Sequence, residues 1–217
     1  MTYDKLAPIL EMINRYLPKM ENIYAATRVT DVRNKTAEQW KSLRDLGLKE
    51  ISLGVESGDD WTLERINKGY RAADILEQCA KLDEAGVAYW MTFLNGVAGR
   101  EHSMDHAIHS AEVFSCCHPM LVGTGGLVLF PGTPLLEEAE RGEFTPLTEK
   151  EMMVELKTFV EHLTCDCAFT THHTSSINLS GPDFLKRKDR IIQALDHEIR
   201  HGDLDRLAAV RRSKRTL

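Results

Sequence analysis

The feature that most constrains the fold of this chain is a regular alternation of apolar runs and helical segments between residues 22 and 130. Short runs rich in apolar and β-branched residues predict strands at residues 22–29, 50–55, 87–94 and 121–130. Segments with apolar residues at helical spacing lie between them. This alternation predicts a parallel sheet with crossover helices, and the nearly continuous apolar character of the strands indicates a sheet covered on both faces.

Two architectures fit this alternation, a β/α barrel and an open doubly wound sheet. Helix ends such as DLGLKEISL and DEAGVAYWM recur directly before strands, at similar spacing. In both architectures, ligands bind at the carboxyl ends of the strands. A ligand-binding site is therefore expected among the residues that follow each strand.

The pattern changes in the last third of the chain, where charged amphipathic helices predominate. The segments are a helix at 148–163, an irregular strand at 166–175 and charged helices at 182–200 and 203–213. No low-complexity linker separates them from the preceding part. We therefore expect a partial barrel at residues 1–147 and a helical extension at residues 148–217, packed on the same domain.

Composition excludes several classes of protein. The net charge of −6 argues against a nucleic-acid partner, because proteins that coat nucleic acid carry a basic excess. No apolar run approaches the roughly 20 residues of a membrane span. The N-terminal residues carry charges within their apolar pattern, unlike a signal peptide. A cytoplasmic protein without a membrane partner is expected.

Small and polar residues follow the predicted strands, and they include Arg28, Glu56, Ser57, Asn95 and Gly96. A carboxylate such as that of Glu56 accepts hydrogen bonds from vicinal hydroxyls or from an ammonium group. Arg28 and Lys68 suit a ligand carboxylate. The set fits a zwitterionic, ribose-containing ligand better than a pyrophosphate, since neither G-x-G-x-x-G after the first strand nor G-x-x-x-x-G-K-[ST] is present. A plain turn at each strand end remains the alternative.

Four segments, in order along the chain, resemble segments of the radical S-adenosylmethionine (radical SAM) enzymes. They are GVESGDDWTLERINKGY (54–70), MTFLNGVAGRE (91–101), LFPGTPLLEEAERGEF (129–144) and TSSINLSGPDFLKRKDRIIQALD (174–196). The first three are similar to the branch of oxygen-independent coproporphyrinogen oxidases and methylthiotransferases. The last is similar to the closing segment of members described as iron–sulfur oxidoreductases.

The resemblance implies an α/β fold, a partial TIM-like (β/α) barrel, with SAM and a [4Fe-4S] cluster as cofactors. In that family the cluster, held by three cysteines, reduces SAM to a 5′-deoxyadenosyl radical that abstracts hydrogen from the substrate. By motif position, Glu56 and the adjacent Ser57 lie in the SAM cradle, and Lys68 lies near the SAM carboxylate. Gly96 and Val97, after Asn95, fall beside the adenine. Arg28 would face the same ligand.

The chain departs from the family in its cysteines. The C-x-x-x-C-x-x-C motif is absent, and the cysteines present are Cys79, Cys116, Cys117, Cys165 and Cys167. Helix 4–17 resembles the helix after the family's second strand, so we expect a barrel truncated at its N-terminus, in a fragment or a degenerate member. No residue is assigned as a metal ligand, and this chain alone is expected not to cleave SAM. The exposed edge of strand 22–29 predicts self-association.

Two smaller departures concern single residues. Lys68 replaces an arginine, which is not an equivalent exchange at a bidentate site. The acidic residue that often follows the family's fifth strand has either moved to Glu101 or been lost.

Two other functions stay open at this point. A metal-dependent β/α-barrel hydrolase would use His102, His106 and His109, which share a helix face, or His172 and His173. A helix that flanks a sheet is expected to direct such histidines to solvent. A non-catalytic interaction module would use the basic segments LKRKDR (185–190) and RRSKR (211–215), although such runs are commonly solvated.

Overall fold

The computed structural model describes residues 1–173 and 178–213. Its helices are α1 (Tyr3–Tyr16), α2 (Val29–Arg33), α3 (Ala37–Asp45), α4 (Asp60–Arg65), α5 (Ala72–Ala85), α6 (Ser103–Ser115), α7 (Pro134–Glu140), α8 (Glu149–His162), α9 (Phe184–His201) and α10 (Leu204–Ser213). The strands are β1 (Ile23–Thr27), β2 (Leu48–Glu56), β3 (Ala88–Asn95), β4 (Leu121–Gly126) and β5 (Ala168–His173). A short 3₁₀ turn, Arg100–His102, precedes α6.

The described strands form one parallel sheet in the order β1-β2-β3-β4-β5. A doubly wound sheet reverses its strand order at a switch point, whereas a β/α barrel adds each strand beside the previous one. The consecutive order is therefore that of a barrel wall. The predicted α/β fold with a partial TIM-like barrel is confirmed, and the doubly wound alternative is wrong.

Helices cover one face of this sheet, and the other face is concave and partly open. Along β2, Ile51, Leu53 and Val55 are fully buried, whereas the residues between them are half-buried. On the open face the rings of Tyr24 and Trp90 lie 5.6 Å apart. The expectation that both faces are covered is therefore wrong for the described residues. The sequence pattern does not distinguish an aromatic residue on an open, concave sheet face from an aromatic residue in the core.

Helix ends follow the signals in the sequence. Thr36 forms a capping box with Gln39 at the start of α3. Gly86 ends α5 in the left-handed conformation, with φ 66°. The fourth strand is shorter than predicted, because it ends at Gly126 rather than at residue 130. The chain then enters a turn at Phe130, whose carbonyl accepts from the Thr133 hydroxyl at 2.7 Å.

The last part of the chain is joined to the sheet and its core. Leu156 and Phe159 of α8 are buried in the same core cluster as the residues of β2 and β3. β5 lies within residues 148–217 and pairs with β4. The domain boundary at residue 147 stays a prediction. No helix in the described ranges has both the length and the apolar character needed to cross a membrane.

Candidate cofactor-binding site

A cleft of about 490 Å³ opens at the carboxyl ends of the strands. Its lining includes four of the seven predicted site residues, namely Arg28, Glu56, Lys68 and Val97. Together with Val97, the other apolar residues of the lining form the cleft wall; they are Leu94, Leu127, Val128, Leu129 and Leu135. The parallel strands thus bring together side chains that are up to 69 positions apart in the sequence, as the strand-end argument predicts.

Glu56 has an unusual backbone conformation for a residue with a side chain. Its φ of 67° lies in the left-handed region, and the register between β2 and β3 shifts between Leu53 and Glu56. Such a conformation costs about 1–2 kcal/mol and is retained where the surroundings or the function require it. The carboxylate is 35% exposed in the cleft and lies 2.8 Å from the Nζ of Lys68.

Lys68 and Arg28 are connected to the same strand end. Lys68 Nζ also donates to the carbonyl oxygen of Gly54 at 3.0 Å. The exposed side chain of Arg28 donates from Nη2 to the carbonyl of Lys68 at 3.2 Å. Tyr70, which sequence reasoning did not single out, donates from its hydroxyl to the carbonyls of Gly54 and Val55 at 3.1 Å. Burial, together with the nearby Glu56 carboxylate, raises the pKa of Tyr70, so it remains a donor.

Ser57 is not part of the cleft lining. Its side chain is fully buried, and its hydroxyl accepts from the backbone N–H of Asp59 at 3.0 Å. Asp59 then caps α4 by accepting from the N–H of Thr62 at 2.9 Å. The structure thus shows Ser57 organising the turn between β2 and α4, and a contact with a ligand stays a prediction for this residue.

Asn95 and Gly96 lie behind the cleft wall, where they contact a buried carboxylate that sequence reasoning missed. The Asn95 amide and the Gly96 N–H both donate to the same oxygen of Glu155, on α8. The other oxygen of Glu155 lies 3.0 Å from Nδ1 of His106. The sequence does carry a signal for the burial of Glu155. The residue falls three positions after Met152 and four before Phe159, so helical periodicity places it on the buried stripe of α8.

A second missed pair lies at the rim. Arg65 of α4 donates to a carboxylate oxygen of Glu138 in α7, and both line the cleft. The Arg65 guanidinium also lies 5.5 Å from the ring centroid of Phe144. The pair therefore joins the helix after β2 to the segment after β4 across one side of the opening.

The comparison with known families matches residues 2–114, just over half of the chain, to the radical SAM superfamily model. This chain belongs to the radical SAM superfamily. The matched region contains β1, β2 and β3 with their connecting helices, and hence all seven predicted site residues.

Two curated proteins resemble this radical SAM chain. The uncharacterized protein MJ0486 of Methanocaldococcus jannaschii is 29% identical over 113 residues, which are 52% of this chain and 34% of the relative. The heme chaperone HemW of Bacillus subtilis is 22% identical over 151 residues, 68% of this chain and 39% of the relative. The chain therefore spans less than half the length of either relative.

Solved structures share the fold. The archaeal Elp3 of Methanocaldococcus infernus, with an N-terminal deletion, superposes with a TM-score of 0.58 at 15% identity, covering 82% of this chain and 42% of that one. Methylornithine synthase (PylB) superposes with a TM-score of 0.52 at 16% identity, covering 76% of this chain and 46% of that one. These similarities extend to the barrel wall and its helices.

The three histidines near α6 have separate partners rather than a common one. His102 stacks on Trp61 with 3.6 Å between ring centroids, and His109 lies 2.8 Å from Asp59. His106 is fully buried against Glu155, so the expectation that these histidines face solvent is wrong for His106. Its position on the stripe of Ala107, Ser110 and Phe114 explains the burial. The side chains of His172 and His173 lie outside the described residues.

The two cofactors of the superfamily fit the described residues differently. The cleft has a carboxylate, a guanidinium and an apolar wall, which match the ammonium, carboxylate and adenine of SAM. Among the side chains that the structure describes, those of residues 1–171 and 178–209, no three histidine, cysteine or acidic groups are placed to hold a metal. Four of the cysteines are buried, and Cys116 is exposed. The described residues therefore fit SAM and do not fit an iron–sulfur cluster.

Proposed function

We propose that the cleft binds S-adenosylmethionine, as the cofactor site of a radical SAM oxidoreductase. The observation that carries this proposal is the convergence of Arg28, Glu56 and Val97 on one opening at the carboxyl ends of the strands, in a chain of this superfamily. The residues come from three neighbouring strand ends, so a single ligand in the cleft can contact all three.

Each group has a distinct part in binding. The Glu56 carboxylate accepts hydrogen bonds from the ammonium or the ribose hydroxyls of the ligand, and Lys68 fixes its orientation. The Arg28 guanidinium, exposed at the end of β1, pairs with the ligand carboxylate. Leu94, Val97 and Leu127 form the apolar wall against which the adenine packs.

Reductive cleavage is not assigned to this chain. A [4Fe-4S] cluster supplies the electron in this superfamily, and the described residues do not fit one. We propose that the chain by itself binds SAM without cleaving it. Incubation with SAM, dithionite, iron and sulfide should give no catalytic yield of 5′-deoxyadenosine, and such a yield would refute the proposal.

The branch of the superfamily is a further proposal. The segments at 54–70, 91–101 and 129–144 resemble those of the branch of coproporphyrinogen oxidases and methylthiotransferases, and this resemblance supports that branch. The substrate does not follow from the branch, because one fold hosts many reactions.

The two alternatives have less support. A metal-dependent hydrolase is not favoured, because His102, His106 and His109 contact different residues. An interaction module would need free basic groups at residues 185–190, where Lys188 donates to the carbonyls of Glu161 and Leu163. The side chains at residues 211–215 lie outside the described ones.

Calorimetric titration of the purified chain with S-adenosylhomocysteine tests the binding proposal directly. The ligand should bind to the wild type, and Glu56→Gln should weaken binding about tenfold, because a carboxylate that accepts charged donors is lost. Glu11→Gln, at an exposed glutamate on α1, is the matched control and should bind as the wild type does. Equal affinity in all three proteins would place the ligand elsewhere.

A further inference from the structure

We infer that Glu155 and His106 are positioning residues that hold the backbone at Gly96 and Val97 in place against the adenosyl group. This inference rests on the proposed SAM site and assigns part of its affinity to two residues that do not line the cleft. It concerns α8, which contacts β3, and α6, which packs on α8 and reaches β3 through His106 and Phe93.

Glu155 is the central group of the arrangement. It is fully buried, and it accepts from the Asn95 side chain and the Gly96 backbone N–H while facing Nδ1 of His106. A buried carboxylate is costly unless hydrogen bonds satisfy it. Two of its three contacts are with consecutive residues at the end of β3, so the carboxylate fixes the direction in which the chain leaves the strand.

His106 holds the carboxylate from the other side. Its ring is fully buried and stacks on Phe93 at 4.7 Å, and Phe93 in turn stacks on Phe159 at 4.1 Å. Nε2 of His106 has no hydrogen-bond partner among the described residues. A leucine in this place would avoid that cost, so the ring is explained by the contact that Nδ1 makes with Glu155.

Helix α8 contacts the same turn a second time. Gly96 has φ 88°, and a Cβ at this position would lie 2.5 Å from Sδ of Met152, one turn before Glu155. The carbonyl of Met152 also accepts from the Asn95 amide at 3.1 Å. The turn is thus held at its backbone N–H, at its Cα and at the preceding side chain, all by α8.

The segment that α8 holds in place forms part of the cleft wall. Leu94 and Val97, on either side of Asn95 and Gly96, both line the cleft. A shift of the Gly96 backbone toward or away from α8 therefore moves both apolar contacts of the adenine together. A buried polar pair is often no more stabilising than apolar residues of the same volume. A positioning role explains why Glu155 and His106 lie behind the cleft wall.

Glu155→Gln tests the inference, because the amide keeps the shape of the side chain but removes the charged acceptor to which Asn95 and Gly96 donate. We expect the affinity for S-adenosylhomocysteine to fall about tenfold, as for the loss of a hydrogen bond to a charged group. In NMR spectra, the Gly96 and Val97 amide resonances should shift and exchange faster with solvent.

Leu156→Ala is the control for stability, since it removes a buried apolar side chain of the same helix and leaves in place the groups that accept from Asn95 and Gly96. It should lower the unfolding midpoint at least as much as Glu155→Gln while leaving the affinity within about twofold. His106→Asn, whose amide replaces the Nδ1 donor, should bind the ligand better than His106→Leu.

The outcomes separate this inference from the proposed function. If the wild type does not bind S-adenosylhomocysteine, the function fails, and the Gly96 and Val97 amides still report on the positioning. Unchanged amides in Glu155→Gln, or an affinity that falls equally in Leu156→Ala, would overturn the inference.

Discussion

Glu56 and Lys68 form an ion pair at the mouth of the cleft, with Oε2 and Nζ 2.8 Å apart. Because the carboxylate is 35% exposed, water screens the pair, and its contribution to stability is below about 1 kcal/mol. The pair instead fixes the direction of a carboxylate that would otherwise rotate in solvent. Lys68 in turn is held by the Gly54 carbonyl, so the strand tip and its counter-charge move as one unit.

The left-handed backbone at Glu56 predicts a conflict between stability and binding. Glu56→Gly and Glu56→Ala both remove the carboxylate, and only glycine relieves the positive φ. We expect Glu56→Gly to be more stable than Glu56→Ala by about 1 kcal/mol in urea unfolding, with ligand binding weakened in both. Equal stability of the two variants would show that this backbone is not strained.

Gly58 is predicted to be required for the packing of α6 against the strand end. A Cβ at this residue would lie 2.8 Å from both Cα of Ser110 and Cβ of Val113, and its N–H donates to the Ser110 hydroxyl at 2.8 Å. Gly58→Ala should lower the free energy of unfolding by about 1–3 kcal/mol. Gly54→Ala is the control, since its Cβ would meet nothing closer than 3.7 Å, and it should be nearly neutral.

The pair of His109 and Asp59 predicts a pH dependence of stability. The hydrogen bond with Asp59 raises the pKa of His109 above 6.5. Burial opposes ionisation of Asp59, but hydrogen bonds from Thr62 and His109 outweigh it and lower the pKa of Asp59 below 3.8. The contribution of His109 to folding stability is fully present below pH 6.5 and is lost as the pH rises through the raised pKa of His109. The contribution of Asp59 to folding stability is present above pH 3.8 and is lost as the pH falls through the lowered pKa of Asp59.

Urea unfolding of the wild type and of His109→Asn at pH 5.5 and pH 9 measures this effect. The wild type should exceed the variant at pH 5.5 and lose that advantage at pH 9. The difference stays below about 1 kcal/mol, because the histidine side chain is 51% exposed. A constant difference between the two proteins at both pH values would contradict the prediction.

Self-association through the outer edge of β1 stays a prediction. In the described residues β1 pairs only with β2, and an edge of this kind is a template for another strand. Light scattering after gel filtration should show a mass that rises with concentration. Ala26→Lys, which adds a charge to the strand, should abolish the rise, whereas Met12→Lys on α1 should not. A monomer mass at every concentration would exclude this contact.

Sequence reasoning predicted the parallel α/β architecture because each element carries its own periodicity. Arg28 and Glu56 were predicted because strand ends converge in any parallel sheet, whereas Lys68 and Val97 were predicted from the family resemblance, and all four line the cleft. Residues behind the wall were harder to predict. Glu155 is one of several acidic residues in α8, and only its phase distinguishes it from those that face solvent.

The burial of Ser57 and Asn95 shows a different difficulty. Both have the residue types expected of ligand contacts, and the same groups also complete turns. Composition does not distinguish these roles, because a hydroxyl or an amide satisfies a backbone group as readily as a ligand. For Asn95, the distinction required the position of α8 behind β3, a contact between residues about 60 positions apart.

The irregular register of β2 determines which way its terminal acid points. Leu53 pairs with Met91 and Glu56 pairs with Phe93, so β2 has one more residue between the paired positions than β3 has. In an even ladder, a residue paired with Phe93 would share its side of the sheet and face the helices. Deleting Val55 would restore that even spacing and turn the carboxylate inward. The proposed nucleoside site thus depends on the length of a strand as well as on its residue types.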